Sequence, residues 1–352
     1  MIARAVALSL ALSLCAEAHA APPAPAPATS RVHPDMQALL DRFDTLHATP
    51  IETLTPEQAR LQPTMADAAK QLADERPRKK KAKPTKPRVE SEDRMFPGAG
   101  GMVPARVFTP TKKIKGLRPI IVWFHGGGFV LASLDAYDPA PRRIAAKTGA
   151  IVVAASYRQA PEFKFPAAHD DAFAAWQWTI ENARSLGGDP DRMAVAGEGV
   201  GGNLAINVAL RARAEKVITP RHMLLVYPMC GGRMTTDSYL ANATARPLGK
   251  ATMEWYARYT FEKPDDLLDP RIDIVSRDDL AGLPSATIIT AELDPLRSEG
   301  HALADLLVKA GVKVDYGDYL GVTHNFFGMS AVLADAKAAQ DRAVKNLTAA
   351  LE

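Results

Sequence analysis

The chain has 352 residues, of which 47% are hydrophobic and 24% charged, a balance that excludes a disordered or collagenous protein and supports one large buried core. Its formal charge of +3 comes from one segment: eight of the 43 basic residues fall in Arg76 to Arg88 (RPRKKKAKPTKPR), leaving 35 against 40 acidic residues elsewhere, so the body is mildly acidic. The only cysteines are Cys15 and Cys230.

In chain order, residues 1–20 combine an early Arg4, a short apolar run and Ala18-His19-Ala20, the pattern of a cleaved secretory signal peptide. The run is well short of the ~20 residues needed to span a bilayer. Export to a periplasmic or extracellular location with cleavage after Ala20 is therefore expected. Intact mass of the mature protein should place its first residue at Ala21; a retained Met1 or a lipid on Cys15 would contradict this. Loss of the leader leaves Cys230 as the sole cysteine, so no disulfide can form within the mature chain and stability must come from packing.

Residues 21–34, beginning APPAPAPATS, read as a proline and alanine tether. The segment 35–92 holds helices and the basic linker. Met36, Leu39, Leu40, Phe43 and Leu46 recur at spacings of three and four, the mark of an amphipathic helix, and Thr55-Pro56-Glu57 is a helix start with threonine as cap. Lying before any strand, these helices are candidates for a cap. The basic tract reads as a solvated linker, with anionic lipid or polysaccharide as an alternative partner. Nucleic acid is not expected, since no aromatic residue interleaves the lysines.

Over 93–352, and clearly from Arg118, short β-branched runs alternate with helical stretches. PIIVWF, AIVVAASY, MAVAG, MLLVYP, ATIITAEL and VKVDYGDY are the strands; Pro166–Leu186, Gly202–Ala214, Arg297–Ala310 and Ser330–Leu351 are the helices. This alternation predicts the α/β class, with a mostly parallel, doubly wound sheet and helices on both faces.

Reactive groups in such a sheet belong at the carboxyl ends of strands. HGGGF, from His125 to Phe129, follows PIIVWF, and its three glycines let backbone N–H groups approach a ligand as an oxyanion site requires. Asp294 follows ATIITAEL, and His324 lies in GVTHNFF after VKVDYGDY. An acid loop followed by a histidine loop is the later part of a hydrolase triad whose nucleophile comes first in the chain. The strand–turn–helix MAVAGEGVGGNLAINVAL should carry that nucleophile as G-x-S-x-G, but Gly199 occupies the serine position between Gly197 and Gly201.

HGGGF, YRQAPEFKFPAA, AGEGVGGNLA, AELDPLRSEG and GVTHNFFG, in unbroken order over about residues 90–350, resemble the hormone-sensitive-lipase family of α/β-hydrolase carboxylesterases. The resemblance implies an α/β-hydrolase domain with a helical cap. It implies Asp294 and His324 as the acid and base of a triad, and Gly127, Gly128 and the N–H of Val200 as an oxyanion hole. His125 is expected to shape its loop. The family's GDSAGG or GESAGG stands here as GEGVGG, and Gly199 cannot form an acyl-enzyme.

Three functions follow as expectations: an ester hydrolase by descent, acting on small, short-chain esters; a catalytically inactive protein binding a small ester or acid in the same pocket; and a surface-interaction protein using the basic tract. Retention of Asp294, His324 and HGGGF favours the first two. No metal-ligand spacing or dinucleotide motif is present, so no cofactor is expected. Met253, Trp255, Tyr256 and Tyr259, in LGKATMEWYARYTF, are expected to be packing residues.

Overall fold

A computed structural model describes residues 32–76 and 88–352. The leader, nearly all of the tether and the basic tract from 77 to 87 lie outside the described residues. The N-terminal helices are α1 (Pro34–Asp44), α2 (Pro56–Ala59) and α3 (Met65–Glu75). Thr55 caps α2 and Thr64 caps α3, each side chain accepting from the backbone N–H three residues on.

The sheet has eight strands: β1 (Val89–Gly98), β2 (Gly101–Pro110), β3 (Arg118–Phe124), β4 (Ile151–Ala155), β5 (Gly188–Glu198), β6 (His222–Val226), β7 (Ser285–Leu293) and β8 (Val314–Thr323). Their order is β1-β2-β4-β3-β5-β6-β7-β8. The β1–β2 hairpin and the β2–β4 pair are antiparallel, and every other pairing is parallel. The helices that complete the domain are α4 (Pro139–Thr148), α5 (Ala167–Asn182), α6 (Val200–Ala214), α7 (Asp237–Ala241), α8 (Lys250–Thr260), α9 (Arg297–Lys309) and α10 (Ala334–Leu351).

The central strands are apolar on both sides because both faces are covered. Ile120, Val122 and Phe124 of β3 join one layer with α5, α6 and α9, while Ile121 and Trp123 join the other with α4 and α10. This is the α/β-hydrolase layout expected from the sequence.

Two expectations are corrected. The sheet begins at Val89, so the boundary at 93 falls inside β1. Nor do the residues 35–92 form one cap. Met36, Leu39 and Leu40 of α1 and Met65 and Ala68 of α3 are buried in the layer with Trp123, Phe327 and α10, because their apolar stripes continue that layer. The stretch from Ile51 to Ala59 packs instead with Val130, Ala160 and Trp255.

Candidate active site

β5 ends at Glu198, and α6 begins at Val200. The single residue between them, Gly199, turns the chain with φ 57° and ψ −118°, a conformation that is costly for any residue with a Cβ. Its N–H donates to the Val226 carbonyl (2.9 Å), and its own carbonyl accepts from the N–H groups of Gly202 and Met229. The turn is pinned at both ends, with position 199 at its tip.

A Cβ placed on Gly199 would lie 3.5 Å from His324 Nε2, the nearest atom outside the adjoining residues. His324 follows β8 and Asp294 follows β7. The His324 Nδ1 is 2.7 Å from Asp294 Oδ2, while Asp294 Oδ1 accepts from the Leu296 N–H at 2.9 Å. Asp294 is fully buried and His324 nearly so. The carboxylate only accepts, so the imidazole proton sits on Nδ1 and the lone pair of Nε2 faces Gly199. The Tyr227 ring, just past β6, packs against the imidazole with the ring centroids 4.4 Å apart.

The glycines after β3 form the opposite wall. Gly127 (φ 101°) and Gly128 (φ 61°) are left-handed, and a Cβ would strike the Leu131 carbonyl oxygen at 2.2 Å in the first case and the Tyr256 ring at 2.2 Å in the second. Among the described residues no backbone or side-chain acceptor takes the N–H groups of Gly127, Gly128 or Val200. All three residues line the cleft that contains Gly199 and His324. The sequence-predicted residues are thus brought together around one point.

His125 lies behind this wall. Burial pushes its pKa down to about 4, against the opposing pull of its hydrogen bond to the Gly126 carbonyl, and the Tyr157 hydroxyl lies 3.0 and 3.1 Å from the carbonyls of His125 and Gly126. A neutral histidine stacked on Tyr157 shapes the loop. Ser133, Ser156 and Glu198 do not line the cleft, so none of them stands in for the missing hydroxyl.

The cleft is open to solvent at its mouth, and most of its lining is apolar, as in small-ligand pockets. Met253 and Tyr256 of α8 line it, correcting the expectation that both only pack. They stand three residues apart and share one helix face, whereas Trp255 and Tyr259 point toward Ile51 and Leu54 on the N-terminal segment. Arg60 adds a clamp that sequence reasoning missed: it donates to the Val130 and Ala160 carbonyls and pairs with Glu162. Nothing in the local pattern around Arg60 marks it, because its partners are 70 to 102 residues away.

Glu198 is buried beneath the turn, and among the described residues its one side-chain partner is the Tyr227 hydroxyl, which donates to Oε2. Burial raises its pKa to about 7, and the Tyr227 hydrogen bond opposes the rise. The folded state then holds the proton more tightly than the unfolded chain. Its contribution to stability is full below pH ~4.5 and is lost as pH rises to about 7, to the extent of about 3 kcal/mol. Glu198→Gln cannot ionise, so its stability should gain on that of the native chain by this amount between pH 4.5 and pH 8 in urea titrations. A constant difference across that window would contradict the assignment.

The comparisons agree with this fold. Residues 121–328 match a family model described as an alpha/beta hydrolase fold. Carboxylesterase NlhH of Mycobacterium tuberculosis is 37% identical over 271 residues, covering 75% of this chain and 84% of that protein. Ethyl acetate hydrolase of Pseudomonas putida is 35% identical, covering 67% of this chain and 75% of that protein. Among solved structures, an ester hydrolase from the Lake Arreo metagenome, complexed with a bipyridine phosphonate derivative, superposes with a TM-score of 0.80 at 33% identity, covering 90% of this chain and 98% of that one. The chain belongs to the hormone-sensitive-lipase-like α/β-hydrolase family, alongside enzymes that hydrolyse carboxylic esters.

Proposed function

We propose that the protein binds small carboxylic esters in the cleft beneath α8 and polarises their carbonyl group, with the acyl-enzyme route closed at Gly199. One observation carries this reading: a Cβ on Gly199 would have His324 Nε2 as its nearest neighbour, at 3.5 Å, which is where a nucleophile's side chain would meet its base. In the assigned roles, His324 is the base, Asp294 holds it in the productive tautomer, and the N–H groups of Gly127, Gly128 and Val200 receive the carbonyl oxygen as charge develops on it. The apolar lining, with Met229, Leu248 and Phe261 beside Tyr256, suits a short acyl or aryl group. The alternative in which the basic tract alone carries the function leaves the pinned turn, the buried Asp294–His324 pair and the unpaired N–H groups without a purpose. The test is to replace Gly199 with serine and ask whether ester hydrolysis through a covalent intermediate returns.

A further inference from the structure

We propose that the native chain hydrolyses activated esters without an acyl-enzyme, with a water held beside Gly199 and driven by His324; the inference rests on the ester-binding reading above. The protein has not closed over the site of the lost hydroxymethyl group. A Cβ on Gly199 would have no neighbour outside the adjoining residues nearer than His324 Nε2 at 3.5 Å, Cε1 at 3.7 Å and the Gly126 Cα at 4.0 Å. A hydroxymethyl group is comparable in size with one water, whose share of liquid volume is ~30 Å³. A water there would donate to His324 Nε2, whose lone pair is set by the Nδ1–Asp294 bond. The N–H groups of Gly127, Gly128 and Val200 stay available to the ester carbonyl oxygen.

The step balances with ester and water alone. His324 Nε2 takes a proton as the water oxygen bonds to the carbonyl carbon, and the carbonyl π pair moves onto the oxygen facing the three N–H groups. The tetrahedral centre collapses with cleavage of the bond to the leaving oxygen, which receives the proton from Nε2. An acid and an alcohol are released, and no bond to the protein forms. With one histidine for both proton transfers, the chemistry favours leaving groups that need little protonation, so the substrate class is aryl esters and similarly activated esters.

The inference separates cleanly from a site that is merely left over. In a serine triad the members act as a unit; in subtilisin, removing the serine or the histidine alone costs about as much as removing all three. If Gly199 had simply idled the triad, removing His324 as well would change nothing. If His324 drives a water, it matters in the glycine background, by the ~10²-fold or more typical of a general base.

The experiment follows 4-nitrophenyl acetate hydrolysis by the native chain, His324→Ala and Gly199→Ala, with binding of 4-nitrophenylacetone, in which a methylene replaces the ester oxygen, measured by calorimetry on each. The expected result is linear nitrophenol release from the native chain without a burst, a fall of about 10²-fold in His324→Ala with partial rescue by added imidazole, and a comparable fall in Gly199→Ala, whose methyl takes the water's place, while both variants still bind the ketone. A rate untouched by either substitution in variants that bind the ketone would overturn the proposal, as would a stoichiometric burst from the native chain. Failure of the native chain to bind the ketone would overturn the ester-binding reading itself and this inference with it.

Discussion

Gly199→Ser should convert the protein into one that acylates, with a burst of nitrophenol equal to the enzyme concentration and a gain in kcat/KM of roughly 10² or more on a short-chain aryl ester. The geometry requires it: the Cβ would lie 3.5 Å from His324 Nε2, and the hydroxyl, one bond further on, can turn within hydrogen-bond reach of that nitrogen. Asp294 already holds the imidazole, and three N–H groups already face the cleft. The gain should stay below that of an intact enzyme. Serine at φ 57° reintroduces backbone strain of about 1–3 kcal/mol, which the glycine avoids, and the next residue is the bulkier Val200 in place of the alanine of the GESAGG motif that the segment resembles. Adding His324→Ala to the serine variant should abolish the burst. A correctly folded Gly199→Ser protein without a burst would refute the assignment of this position.

Gly201→Ala should do the opposite, destabilising the fold by about 3 kcal/mol or more. Two residues beyond the tolerant tip, a Cβ at Gly201 would stand 2.1 Å from the Phe124 carbonyl oxygen and 2.6 Å from that of His125. Both are backbone atoms at the end of β3, in the centre of the sheet, and cannot rotate away. The cost is overpacking where α6 presses closest on the sheet, so it exceeds the usual cost of an added methylene. Urea denaturation and a fall in melting temperature of roughly 6 °C or more would measure it. A melting curve matching that of the native chain would show that the strand and helix are not pressed together as described. The contrast explains the spacing of the motif: glycine is sterically compelled at 197 and 201 by the crossing of backbone, where a Cβ at 197 would meet the Gly201 oxygen at 2.1 Å, while at 199 space allows a side chain and only the backbone conformation resists one.

The parallel strands are legible in the sequence because burial on both faces makes them continuous apolar runs, and their ends mark His125, Gly199, Asp294 and His324. The β1–β2 hairpin was not legible in the same way. β1, with the sequence VESEDRMFPG, is an edge strand exposed along most of its length, and its charges serve cross-strand pairs such as Asp93 with Arg106 rather than a core. Tyr227 and Arg60 escaped for a different reason. Tyr227 ends an apolar strand like its neighbours, and only the sheet order places it against His324 and Glu198; Arg60 reads as a surface cation until the chain folds it onto the carbonyls of Val130 and Ala160. The placement of α1 and α3 against the sheet face also depends on contacts with the far end of the chain, including His33 with Asp335.

Position 199 is the point of covalent attachment in the serine variant, and the native chain forgoes it. Intact-mass measurement after incubation with an alkyl fluorophosphonate reads this directly on the native chain and on Gly199→Ser. One phosphonyl adduct per serine variant, mapped by peptide sequencing to the introduced serine, and none on the native chain is the expected result. An adduct on the native chain, or an unmodified but folded serine variant, would contradict it.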